Sequence, residues 1–234
     1  MFAAAKAKLD RADKHIVELS QEFDRISKAN THLLQASKSS GLYFLKAAPP
    51  PMPAELTALL GDAVNNLRTS LDMMAYELAK PGAKSKFPFA NKKETFSKAM
   101  KESGLASPAV RDYIEHAVMP YKGGDNDVWA LHDTDIINKH HTLIPTDSGG
   151  GGRFDAVFPG GIVFTNCYAE GMGKSIIQSD VPFAFRDKGA GTTTMFFTED
   201  SGFGKVPILP TLQALSKKLR RIVADIEGLV AQEN

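Results

Sequence analysis

The sequence predicts an α+β fold that is mainly helical: a bundle of about four main helices with a small antiparallel β-sheet inserted before the C-terminal helix. Three observations carry this expectation. First, the stretch LLGDAVNNLRTSLDMMAYEL repeats apolar residues at Leu60, Val64, Leu67, Leu71, Met74 and Leu78 in alternating steps of four and three, one buried stripe of a helix. Second, both ends of the chain carry the same alternation, at Leu9, Ala12, Ile16, Leu19, Phe23, Ile26, Asn30 and Leu33, and at Leu212, Leu215, Leu219, Ile222, Ile226 and Leu229. Third, the texture changes between Arg153 and Glu199 to short aromatic and β-branched runs (RFDAVF, GIVFTNCYA, PFAFR, TTTMFFTE) separated by turn residues, the pattern of an antiparallel sheet.

In chain order, the first helix is expected from about Ala4 to Ser37, with Asn30 as a polar residue on its heptad stripe. Gly41 ends it, Tyr43 to Leu45 reads as a short extended piece, and Pro49 to Pro51 form a stiff connector. The second helix runs from about Pro53 to Leu78 and stops at Pro81 and Gly82. After the extended KFPFA segment (Lys86 to Ala90), two short helices are expected near Lys93 to Glu102 and Ser107 to Val118. The second of these opens with Ser107–Pro108, an N-cap followed by proline in the first turn. Asp125 or Asn126 caps a fourth main helix through about Ile144, and the glycine run Gly149 to Gly152 reads as a mobile loop. The β insertion (about 153–199) precedes the last helix, Thr211 to Ala231. This describes one domain over 1–234, with a helical core of 1–145 plus 209–232.

Composition narrows the function classes. Hydrophobic residues make up 43% and charged residues 24% of the chain, with a net charge of +1, so no global field recruits nucleic acid or a membrane. No apolar run reaches the roughly 18 residues of a membrane span. The single cysteine, Cys167, precludes an internal disulfide and fits a reducing compartment. The N-terminus lacks the apolar core of a signal peptide; a cytoplasmic location is the resulting expectation.

Two polar concentrations stand out. Asn65, Arg68, Asp72 and Tyr76 border the stripe of the second helix, with Arg68 and Asp72 one turn apart. On the fourth main helix His132, Asp135 and Lys139 share a face, while Trp129, Ile136, His140 and Leu143 lie on another. Facing helices would gather Asn65, Arg68, Asp72, His132, Asp135 and Lys139 into one cluster. Buried, such a set must be mutually paired. It serves either as a network that sets helix register or as a site for a small anionic ligand or nucleotide. Lys139 sits where a third metal ligand would be needed, so no metal and no cofactor is expected there. No catalytic set is complete.

Other motifs carry less. Gly171-Met-Gly-Lys-Ser175 resembles a phosphate loop, but Tyr168 stands where the pattern needs glycine and the following IIQSDVPF is strand-like, so a β-hairpin turn is expected. Cys167 lies on an expected strand as a buried, inert thiol. The basic clump Lys217, Lys218, Arg220 and Arg221 reads as a solvated face, with nucleic acid an open alternative. The terminal heptad helices could pair within the chain or between chains, which keeps a scaffold or oligomer role in view.

The run Gly61-Asp62-Ala-Val-Asn65-Asn66-Leu67-Arg68-Thr-Ser-Leu71-Asp72 resembles the core helix of a widespread group of uncharacterised bacterial proteins, which reads approximately Gly-Asp-x-x-His-Asn-Leu-Arg-x-x-Leu-Asp-His. Pro49 to Pro53, Phe87–Pro88, Pro120–Tyr121 and the segment Trp129 to His141 resemble further motifs of that group, the last its Asp-x-Ile-Asp-Lys-His-Arg run. The resemblance covers about Pro49 to Ile144 and implies a shared fold rather than an activity. This chain departs from it at Asn65 and Met73, where the group often has histidine. The group's arginine-to-histidine run looks like the motif of HEPN-type ribonucleases, which cleave RNA without metal and act in bacterial or phage conflict. Met73 removes the histidine that would serve as general acid or base, and Arg111-Asp-Tyr-Ile-Glu-His116 fits the pattern only in a short segment outside the core helix. The leading expectation is therefore a non-enzymatic binding or interaction protein, with a HEPN-like ribonuclease as the alternative.

Overall fold

The protein is described by a computed structural model that covers residues 1–29, 34–47, 49–83, 85–140, 143–171 and 175–233. It is α+β and mainly helical. Its elements are α1 (Ala3–Ala29), β1 (Leu34–Ser39), β2 (Leu42–Ala47), α2 (Ala54–Glu77), α3 (Lys93–Glu102), α4 (Pro108–Tyr113) followed by a π-helical turn (Ile114–Val118), α5 (Asn126–His140), β3 (Thr146–Phe158), β4 (Ile162–Gly171), β5 (Ser175–Ser179), β6 (Ala184–Phe197) and α6 (Ile208–Glu233). The chain divides into two compact units: Met1–Leu19 with Ala54–Pro145 and Phe197–Asn234, and Ser20–Pro53 with Thr146–Phe196.

The first unit is the helical one. The α2 stripe is buried at Leu60, Val64, Leu67, Leu71 and Met74, and the α6 stripe at Leu212, Leu215, Leu219, Ile222 and Ile226. The first half of α1 buries Leu9, Ala12, Ile16 and Leu19. Ion pairs join α1 to α6: Lys6 to Glu227 at 2.7 Å, and Arg220 to Asp10 at 2.8 Å and to Asp13. Leu9 to Ile26 of the first stripe and Leu212 to Ile226 of the last are thus covered within the chain, as the hydrophobic effect requires of such faces. Ser107 caps α4, its hydroxyl accepting from the Val110 N–H at 3.0 Å, with Pro108 in the first turn. The two short helices lie where the sequence placed them, near Lys93 and Ser107, although α3 has no side-chain cap.

The second unit holds two three-stranded sheets, ordered β1-β2-β5 and β4-β3-β6. Three expectations need correction here. Helix α1 ends at Ala29, not Ser37, and Leu34–Ser39 is a strand paired antiparallel with Leu42–Ala47. The hairpin turns at Ser40 and Gly41, both at positive φ (51° and 81°), the geometry of a two-residue hairpin loop. Asn30 and Leu33 lie outside the described residues. The glycine run is not a mobile loop: Gly149–Gly152 are buried in β3, where Gly150, Gly151 and Gly152 pair with Gly171, Glu170 and Ala169 of β4. The sheet region accordingly starts at Thr146 and not at Arg153, and it draws a hairpin from before α2. The strands flanking residues 172–174, β4 and β5, belong to different sheets; the turn itself lies outside the described residues.

Leu45, Phe154 and Ala156 form the buried centre of this unit, with Phe158, Cys167, Phe183 and Phe185 packed against them. Phe154 and Phe185 meet edge to face at 5.7 Å, a favourable aromatic geometry. The second half of α1 belongs here too: Phe23 and Ile26 are buried, and the Thr193 N–H donates to the Ser27 hydroxyl at 3.1 Å.

Candidate ligand-binding site

Helices α2 and α5 pack against each other, and at Gly61 the Asn138 side chain of α5 lies directly over the α2 backbone. A Cβ built on Gly61 would lie 2.5 Å from Asn138 Oδ1, so the glycine leaves room for the Asn138 amide, which any larger residue would displace. Close packing one turn before Asn65 brings the two polar faces together.

The six expected residues converge. Asp135 is the hub, its side chain 2% exposed. Its Oδ1 accepts from Asn65 Nδ2 at 2.9 Å, and its Oδ2 accepts from Lys139 Nζ at 2.7 Å. Arg68 Nε stands 3.7 Å from the same Oδ2, and Arg68 also pairs with Asp72 along α2. The second oxygen of Asp72, Oδ1, accepts the Phe87 N–H at 3.0 Å. Two cations and two carboxylates therefore neutralise each other, which is how a buried charged set avoids a desolvation penalty of several kcal/mol per ion. Burial pushes the Asp72 carboxyl up from its ordinary range, while Arg68 pulls it the other way.

His132 completes the cluster in a different manner. Its ring stacks on Phe89, centroids 4.3 Å apart and planes 3° from parallel, and the Arg68 guanidinium carbon lies 5.6 Å from the centre of the same Phe89 ring. Burial first, and the Arg68 cation second, lower its pKa to about 4, so the imidazole is neutral near pH 7. Among the described residues, His132 Nδ1 and Arg68 Nε are buried without a hydrogen-bond partner, unusual for native interiors.

Sequence reasoning missed the KFPFA segment as part of this site. Phe89 supplies the aromatic face and Phe87 a backbone donor to Asp72, and no spacing in the sequence couples an extended segment to two helices. Tyr76, placed on the same polar line, is instead 70% exposed. Helix α5 stops at His140, so Leu143 lies beyond it and His141 falls outside the described residues.

The remaining candidates sit elsewhere. His116 is an exposed partner of Asp112 (Nδ1 to Oδ1, 3.1 Å) on the π-helical turn, whereas Arg68 is engaged with Asp72 and Asp135. Of the basic clump, Lys218 binds Asp125 and Asp127, Arg220 binds Asp10 and Asp13, and Arg221 lies 3.8 Å from Asp225. Cys167 is a half-buried free thiol beside the aromatic core of the second unit. No group of three or more potential metal ligands occurs among the described residues, and no described helix is long and apolar enough to cross a membrane. In comparisons with known proteins the chain matches no family profile, no curated protein and no solved structure.

Proposed function

We propose that this chain is a non-enzymatic binding protein whose α2–α5 seam takes a small anionic ligand, a carboxylate or the phosphate group of a nucleotide. One observation carries the reading: two buried nitrogens, Arg68 Nε and His132 Nδ1, lack hydrogen-bond partners among the described residues in a cluster that also holds the Lys139 ammonium. A ligand oxygen would satisfy Arg68 Nε, and His132 Nδ1 when that tautomer carries the proton. Lys139, with a side chain 40% exposed, would add a charge-assisted bond. Asp72 and Asp135 already offset both cations, so the seam holds no surplus positive charge and the affinity is modest. They also argue against catalysis, because Asp135 is held by cationic and amide donors and His132 is stacked.

The test is calorimetric titration of the full chain with inorganic phosphate, acetate and a nucleoside monophosphate. Saturable binding that disappears in a folded Lys139→Met variant supports the reading. Absence of binding by any of the three at millimolar concentration overturns it and leaves the cluster as the lock that fixes the register of α2 against α5.

A further inference from the structure

The α2–α5 seam carries no net charge. Arg68 and Lys139 supply two cations, Asp72 and Asp135 two carboxylates, and each carboxylate already holds a cation. A monoanion placed among them would leave one uncompensated negative charge beside Asp135, whose side chain is 2% exposed. Burial penalises such a charge. One member of the cluster can remove it. His132 stacks on the Phe89 ring that the Arg68 guanidinium also approaches, and its buried Nδ1 has no partner among the described residues.

We propose that the seam takes a small monocarboxylate together with one proton, the carboxylate at Arg68 Nε and the proton on the His132 imidazole. This coupling rests on the anion-binding reading of the seam and adds the ligand class and its dependence on pH.

The charges that face His132 set the sign. Arg68 from α2, Lys86 from the segment that carries Phe87 and Phe89, and Lys139 from α5 oppose protonation of the ring; Asp135 from α5 favours it. Lys86 is exposed, so water and salt screen it. Asp72 acts through its pair with Arg68. In the empty seam, burial and these cations hold the imidazole at a pKa of about 4. A carboxylate at Arg68 shifts that balance. It offsets the Arg68 cation, after burial the main force against protonation, and brings a negative charge beside the ring. The protonated imidazole donates from both nitrogens, so Nδ1 gains an acceptor in the carboxylate. Cluster, ligand and proton together are again neutral. A phosphate monoester suits the seam less well, because near pH 7 it carries close to two charges and one proton leaves it unbalanced. The coupling is reciprocal: whatever factor the carboxylate adds to proton affinity, the proton adds to carboxylate affinity.

The test is calorimetric titration of the full chain with sodium formate, which stays ionised throughout, between about pH 8 and about pH 5.5. Each titration is run in two buffers of different ionisation heat, which counts the protons taken up. An NMR titration of the His132 imidazole, with and without saturating formate, accompanies it. The His132 pKa should rise from about 4 to about 6.5 or above, and formate affinity should rise about tenfold or more as the pH falls. His132→Gln, which does not titrate, should lose the pH slope. At about pH 7.5 methyl phosphate should bind less tightly than formate; the reverse order overturns the choice of a carboxylate. Formate binding with no proton uptake and an unmoved His132 pKa overturns the coupling and leaves the anion-binding reading standing. A slope that persists in His132→Gln also overturns it, since the proton would then lie on another group. The NMR titration decides the matter on the natural chain whether or not that variant folds. Failure of formate to bind at any pH overturns the proposal; failure of phosphate and the nucleotide as well overturns the anion-binding reading with it.

Discussion

His132 offers the sharpest test of the α2–α5 seam. Its pKa of about 4 in the folded chain compares with about 6.5 in an unfolded one. Between these values the unfolded state binds a proton that the folded state refuses, so stability is complete above about pH 6.5 and falls as the pH drops toward 4. The full difference, about 2.5 pKa units, corresponds to about 3 kcal/mol, of which about 2 kcal/mol is already lost at pH 5. The charges that act on the ring are Arg68, Lys86 and Lys139, which oppose its protonation, and Asp135, which favours it. Asp72 contributes with the opposite sign, because its raised carboxyl pKa makes the folded state the better proton binder on acidification. Replacing His132 with phenylalanine keeps an aromatic face against Phe89 and removes both the titrating group and a buried nitrogen without a partner. The measurement is urea unfolding of both proteins at several values between about pH 8 and pH 5. Background carboxylates titrate in both, so the difference between the two curves isolates position 132. The wild-type chain should lose about 2 kcal/mol more than His132→Phe over this range. Parallel losses would refute the reasoning, since they would mean that the imidazole is protonated as easily in the fold as outside it.

Further consequences follow from the same geometry. Asp135→Asn removes the partner of Lys139 and one of the two carboxylates beside Arg68, which keeps Asp72, and should cost about 1–3 kcal/mol of stability in urea unfolding; a loss near zero would mean that the pairs do not persist in solution. Gly61→Ala displaces the Asn138 amide, the end of a movable side chain, and should cost no more than about 1 kcal/mol, with no further loss when Asn138→Ala is added in the double variant. Phe89→Ala removes the stacked ring and should lower stability by about 1–2 kcal/mol. It should also move the His132 pKa upward from about 4, read by an NMR titration of the imidazole, because burial is the main force holding it down.

The helical half of the protein was largely readable in advance. The stripe from Leu60 to Met74, the stripe of α6 and the Ser107–Pro108 cap are signals in which each residue's role depends on neighbours three or four positions away, and α2, α6 and α4 formed where those signals lie. That the six residues of the polar cluster come together was legible for the same reason. Helical spacing puts Arg68 with Asp72, and Asp135 with Lys139, on single faces, and two polar faces on core helices have few places to go but each other.

What failed was non-local. The heptad alternation of α1 continues past Ala29 in the sequence, but Leu34–Ser39 is a strand paired antiparallel with Leu42–Ala47. Four consecutive glycines carry every local mark of a loop, and their placement inside β3 is decided by pairing with β4 and by burial. The role of Phe89 depends on a contact across 43 positions of sequence to His132, and the close approach at Gly61 on a side chain 77 positions away. Local periodicity, charge spacing and capping by themselves determined the α+β class, the main helices and the membership of the polar cluster, because those properties reside in a few turns of chain. Strand pairing, the stacked cover over Arg68 and the depressed pKa of His132 were decided by the tertiary structure alone, because hydrogen-bond ladders and desolvation depend on what distant segments bring to the same place.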